Sequence, residues 1–192
     1  REGAEDRAEA AVEDLAARGF GAGDALVGIA ASRRTPYVAR GLAWARGLGA
    51  LTALVTCSPP EGPMDGVDVV IAPVVGPETV MGSTRLKAGT AQKMVLNMLT
   101  TAVMIRTGKV WRGRMVDLQQ SCEKLTGRAR RTVMSLADVD YDRAGELLAG
   151  AGGSVKTALV MALGECDAAA ARRALDEAGG HVGLAILNIT PR

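Results

Sequence analysis

The sequence predicts an α/β fold, a doubly wound parallel sheet in three αβα layers, followed by a small helical appendage. Three observations predict it. Short apolar runs bounded by turn residues recur at 25–32, 50–56 and 67–73, with a helical pattern between the first two and no tight hairpin turn. A long segment at 87–105 is apolar nearly all round, as a central helix is. The last fifty or so residues change character, and RAGELLAGAGGSVKTAL aligns with RRALDEAGGHVGLAI on AGG-x-V.

Taken in order, 7–18 is rich in Ala and Glu and reads as a helix, with Asp6 as its cap and Gly19 and Gly21 as its stop. ALVGIAAS then suits a buried strand. TPYVARGLAWARGLG suits a helix with Pro36 in its first turn, where a missing N–H costs nothing. ALTALVT and VDVVIAP are the second and third strands, separated by the loop CSPPEGPMDG. After the apolar helix, a further one is expected over about 116–134, with Leu118, Cys122, Leu125 and Ala129 on one stripe and Glu123, Arg128 and Arg130 off it. Each AGG copy reads as a helix closed by a glycine pair and followed by a second helix. The expected division is 1–136 for the sheet domain and 137–192 for the helical one.

Composition excludes several classes. With 48% apolar residues in 192, a sizeable core is within reach and disorder is not expected. One Phe, two Tyr and two Trp offer no stacking platform, and a net charge of +2 without a basic run argues against a nucleic-acid partner. No apolar run reaches transmembrane length without charges, so no membrane partner is expected. Cys57, Cys122 and Cys166 are widely separated, with neither metal-ligand nor disulfide spacing. They read as structural thiols of a reducing cytoplasm, and no metal or other cofactor is expected. The chain opens REGAED, without Met, which suggests a piece of a longer protein.

Three constellations could carry chemistry. In GPETVMGSTRLKAGTAQK, residues 76–93, hydroxyls, cations and glycines crowd into the loop feeding the apolar helix. Unpaired N–H groups and the positive end of the dipole at such a junction attract anions. Ser83 and Thr84 add directional donors, and Arg85 and Lys87 add charge, so a phosphoester is the natural ligand. The bland alternative is a capped helix with solvated cations. In AASRRTPY a strand end turns into a helix, placing Ser32 and Thr35 beyond the carboxyl edge of the sheet, where ligands bind in open α/β folds. Both residue types are also ordinary caps. In EGAED, Glu2, Glu5 and Asp6 could supply a general acid or base, or could simply favour a helix start. His181, the single histidine, reads as a residue of an exposed turn.

GPETVMGSTRLKAGTAQK is closely similar to the signature of the N-acetylmuramic acid 6-phosphate etherases and the related glucokinase regulatory proteins. GIAASRRTPYV, MVLNMLTT, GKV, MVDLQ and EKL follow in that family's order and spacing, and EGAED resembles its segment before a sugar-binding loop. The resemblance covers essentially the whole chain, the C-terminal helices more loosely. It implies a sugar isomerase-type domain, a phosphorylated amino sugar as ligand and a homodimer. It also implies a carbon–oxygen lyase that removes D-lactate from N-acetylmuramic acid 6-phosphate and leaves N-acetylglucosamine 6-phosphate. By the same resemblance Glu5 matches a catalytic carboxylate and Lys124 of EKL a lysine that reaches the sugar. Ser32, Thr35, Ser83 and Thr84 match polar positions around the phosphosugar.

Two departures accompany the match. Arg33 stands where the family has Gly, which removes easy access to positive φ and sets a long cation beside the expected ligand. The family's N-terminal half, with a first strand, a phosphate loop and a second catalytic Glu, has no counterpart, so little activity is expected of this chain alone. The regulatory branch implies the alternative function, a non-catalytic phosphosugar-binding regulator or sensor. A structural fragment without either role is the third reading.

Overall fold

A computed structural model describes residues 3–189. It divides into two compact units, one reaching to Met98 and the other beginning at Leu99.

The first unit opens with a 3-10 turn at Ala4–Asp6 and α1 at Ala8–Ala16, whose N-cap position is Arg7. Asp6 is therefore part of the preceding turn and not the cap expected of it. Strand β1 (Ala25–Ile29), helix α2 (Pro36–Gly47), β2 (Leu51–Val55), β3 (Val69–Ile71) and helix α3 (Lys87–Arg106) follow. The strands are parallel in the order β1-β2-β3, with Gly28 opposite Leu54 and Val55 opposite Ile71. This is the α/β arrangement the alternating pattern predicts.

Alternation along β1 gives the sheet two unlike faces. Leu26, Gly28 and Leu54 lie toward α2, and Gly28 lets that helix come close. A Cβ added there would fall 2.6 Å from Val38 Cγ1 and 2.8 Å from Leu42 Cδ1. On the other face Val27, Ile29, Leu51 and Val69 are all more than a third exposed, so among the described residues that face is only partly covered. α1 packs along α2, where the Arg40 guanidinium donates to both carboxylate oxygens of Glu9 and the Tyr37 hydroxyl donates to Asp14. Those contacts lower the Glu9 pKa and raise that of Tyr37.

α3 departs from expectation. It buries Ala88 and Val95 but leaves Met94, Met98, Val103, Met104 and Ile105 largely exposed. Among the described residues its apolar circumference is only partly covered.

In the second unit β4 (Val110–Trp111) and β5 (Arg114–Met115) form an antiparallel hairpin. Its two-residue turn, Arg112–Gly113, has positive φ at both positions, the geometry that suits the twist of a hairpin. This hairpin is not among the elements the sequence predicts, and the further helix starts at Glu123 and not near 116. α4 runs over Glu123–Ala137, and Cys122, placed on the apolar stripe by periodicity, is its exposed N-cap. Then come α5 (Tyr141–Gly150), α6 (Val155–Leu163), α7 (Ala168–Glu177) and α8 (Val182–Ile189). Asp140, Ser154 and Asp167 cap three of them through side-chain acceptors. The glycine pairs 152–153 and 179–180 take positive φ between helices, as the AGG repeats predict. Val116, Val133, Leu147, Val155 and Leu159 share one core with the C-terminal helices, so α4 packs with them. His181 is half-buried in the turn before α8.

Among the described residues no single helix is long and apolar enough to cross a membrane. α5 and α6 pass that test jointly but meet at 110° and bury their apolar faces in the helical core.

Candidate active site

The carboxyl ends of the three parallel strands point to one cleft of about 200 Å³ in the first unit. Ala31 and Ser32 reach it from β1, Cys57 and Ser58 from β2, and Val75 and Gly76 from β3, while Glu78, Thr84 and Ala88 close it from the loop and first turn of α3. Ligands bind at this edge of open α/β sheets because loops splay there and helix N-termini converge. Two predicted residues from separate motifs, Ser32 and Thr84, thus line one cavity.

The β1 and β2 ends are stitched together by the Ala31 carbonyl, which accepts from the Cys57 N–H and from the hydroxyls of Thr56 and Ser58, all at 3.1 Å. Ser32 Oγ accepts weakly from the Arg34 N–H at 3.5 Å. Thr35 is the N-cap of α2 yet makes no side-chain cap bond. A capping hydroxyl accepts through its oxygen, so neither the Ser32 bond nor the Thr35 position uses the hydroxyl proton.

Arg33 takes φ 65°, keeping the backbone a glycine would have at that place. Arg33 lines a different cavity with Leu42, Leu54, Met64 and Asp65, and is not among the cleft residues.

The start of α3 is likewise not the open anion trap that the loop composition suggests. Glu78 Oε1 accepts from the Ala88 N–H at 3.0 Å and Oε2 from the Lys87 N–H at 3.1 Å, while the Gly89 N–H donates to the Thr84 carbonyl. Those N–H groups, and the Lys87 charge after them, hold the Glu78 carboxyl below its ordinary range. The Lys87 ammonium donates to the Pro77 carbonyl at 2.8 Å. Ser83 is half-buried and Arg85 exposed, and neither is among the cleft residues. Burial first, and then Glu78, pushes the Cys57 thiol up, away from the thiolate a nucleophile needs.

Glu5 is exposed on the 3-10 turn, which packs against α2. Lys124 is exposed on the first turn of α4, in the second unit. Neither lines the cleft, and Glu2 lies outside the described residues. No cluster of three or more potential metal ligands occurs among the described residues.

Sequence reasoning missed Cys57, Ser58 and Glu78. The first two follow β2 as Ser32 follows β1, so the rule that favoured Ser32 could have found them. Glu78 lies inside the same motif as Thr84, and an acidic residue ahead of a helix start is the signal for a carboxylate that takes its N–H groups.

No family model matches the chain. Curated proteins named N-acetylmuramic acid 6-phosphate etherase do. The one from Salinibacter ruber is 50% identical over 97% of this chain and 60% of its own length. That from Clostridium botulinum strain Langeland is 47% identical over 99% and 63%, and that from Symbiobacterium thermophilum 56% identical over 85% and 54%. Over nearly all its length, then, the chain is a homologue of the proteins named N-acetylmuramic acid 6-phosphate etherase, and it spans about three fifths of theirs.

Proposed function

We propose that this chain supplies part of an N-acetylmuramic acid 6-phosphate etherase, a carbon–oxygen lyase of amino sugar catabolism and peptidoglycan recycling. The observation that carries the reading is the 50% identity to the Salinibacter ruber etherase across almost the whole chain. The hydroxyl-lined cleft at the strand ends supports it.

In the open-chain substrate the C1 aldehyde acidifies the C2 proton. A base removes it, an acid protonates the lactate oxygen leaving C3, and water adds to the double bond to give N-acetylglucosamine 6-phosphate and D-lactate. General acid–base groups are enough for each step. Glu5 is proposed for one of the proton transfers, and Lys124 for contact with the sugar. Ser32, Thr35, Ser83, Thr84, Arg85 and Lys87 are proposed as the polar surround of the phosphosugar. The functional region, a sugar isomerase-type domain, is proposed to run over 1–136, taking in Lys124, with 137–192 as a helical domain. The exposed apolar residues of α3 support a homodimer, and the free cysteines a reducing cytoplasm.

The second reading is a phosphosugar-binding regulator without catalysis, favoured by the absence of Glu5 from the cleft lining. Two measurements separate the readings. One is binding of N-acetylmuramic acid 6-phosphate to this chain by calorimetry. The other is D-lactate release by a chain extended to its relatives' full length. Binding without lactate favours the regulator, and absence of both overturns both.

A further inference from the structure

The cleft holds a negative charge of its own, fixed in the place where an anionic ligand would be expected. Glu78 comes from nine and ten positions upstream to take the N–H groups of Lys87 and Ala88, one on each carboxylate oxygen, and it lines the cleft with Thr84. The Lys87 ammonium closes the clasp from the other side through the Pro77 carbonyl. The loop carrying Ser83 and Thr84 is therefore tied to α3 at its base by three bonds.

We propose that Glu78 decides which part of the ligand meets the α3 wall: its carboxylate excludes a phosphate there and accepts from sugar hydroxyl or amide N–H groups. The proposal rests on the phosphosugar reading and adds orientation to it.

Three features carry it. A carboxylate has about four lone-pair positions, and two bonds to backbone N–H groups leave acceptor capacity toward the cleft. The same bonds keep the group ionised, as the lowered pKa reflects. With a like charge on that wall, a doubly charged phosphate is repelled at short range, while a hydroxyl gains a charge-assisted bond. The phosphate is then left the Ser32 end of the cleft, where the hydroxyl oxygen accepts from Arg34 and its proton can be donated.

The test titrates the chain and its Glu78→Ala, Glu78→Gln and Ser32→Ala variants with inorganic phosphate and with N-acetylglucosamine 6-phosphate by calorimetry. Circular dichroism confirms folding. Glu78→Ala is expected to bind inorganic phosphate at least tenfold more tightly than the parent and the sugar phosphate at least tenfold more weakly. Glu78→Gln, which keeps one acceptor oxygen, shows the same signs with smaller changes and replaces the alanine variant if that does not fold. Ser32→Ala weakens both ligands. A purely structural role for Glu78 would weaken both ligands together, and that result overturns the proposal, as does no change in either. If the parent binds no sugar phosphate, the phosphosugar reading fails separately. The inorganic phosphate arm then decides alone, a gain in Glu78→Ala supporting exclusion and no gain overturning it.

Discussion

Asp68 Oδ2 accepts from both the backbone N–H and the hydroxyl of Thr52, at 2.8 and 2.7 Å, and the Asp68 N–H donates back to the same hydroxyl. Thr52 is fully buried in the central strand. One carboxylate oxygen thus satisfies two donors that have no access to water, while the other accepts from Arg46 at 2.7 Å. The Thr52 bonds come first, and Arg46 after them, in holding the Asp68 carboxyl below its ordinary value.

Asp68→Ala therefore lowers Tm by several degrees, because a buried donor without a partner keeps its full desolvation cost. Asp68→Asn is expected to lose less, since one acceptor oxygen remains. The pH dependence follows from the sign of the shift. A carboxyl more acidic in the folded state stabilises fully above its unfolded pKa, and that contribution is lost as pH falls through the folded value. The Tm gap between parent and Asp68→Ala should be constant near neutrality and close on acidification. A gap that stays open in acid would show that the carboxylate is not its source.

Arg33 gives a second prediction. Its φ of 65° is costly for a side chain with a Cβ, by roughly 1 kcal/mol. Arg33→Gly keeps the turn and removes that cost, against a small loss from greater freedom in the unfolded chain. The expected result is a modest rise in Tm with phosphosugar affinity unchanged, since Arg33 is not among the cleft residues. Weaker binding in Arg33→Gly would instead mark the guanidinium as a ligand contact.

The three strands were legible because a parallel strand is a short apolar run between turn residues. The helix pairs around AGG were legible because glycine pairs permit the positive φ seen there. The hairpin at 110–115 was not, because its turn is Arg-Gly and each strand has two residues, too few for alternation to show. The start of α4 was not legible, because Val116 and Leu118 continue its apolar pattern although they join the core from ahead of the helix. In the site, Ser32 and Thr84 could be read from hydroxyls at loop-to-helix junctions. Glu78 could not be read in the same way, because composition counts charges in a loop without saying which of them the backbone itself will consume. Lys87 shows the same limit, because composition does not reveal that its ammonium bonds the Pro77 carbonyl.

α3 supplies the third prediction. Met98, Val103 and Ile105 are 59%, 55% and 50% exposed on one helix, and grouped exposed apolar side chains are what an association face offers. With a second copy as the occupant, sedimentation at micromolar concentration should show a dimer, and the pair Met98→Glu and Ile105→Lys should shift it to monomer without loss of helicity. A monomeric parent would remove the homodimer from the proposal.

Glu5 carries the last. Elimination needs a base at C2 and an acid at the ether oxygen, held together around one ligand, and removing either group costs orders of magnitude in rate. Glu5 sits on an exposed turn and is absent from the cleft lining, so the chain alone is expected to bind N-acetylmuramic acid 6-phosphate but release little D-lactate. A chain extended to the length of the Salinibacter ruber relative should release it, and Glu5→Gln in that protein should lower kcat at least a hundredfold while leaving substrate affinity within a fewfold. Lys124→Ala should act differently, weakening binding as well as turnover, because its proposed role is contact with the sugar. Undiminished lactate release by Glu5→Gln would remove Glu5 from the mechanism. Full turnover by the unextended chain would show that its own residues already assemble both proton-transfer groups, and the second would then have to be sought among them.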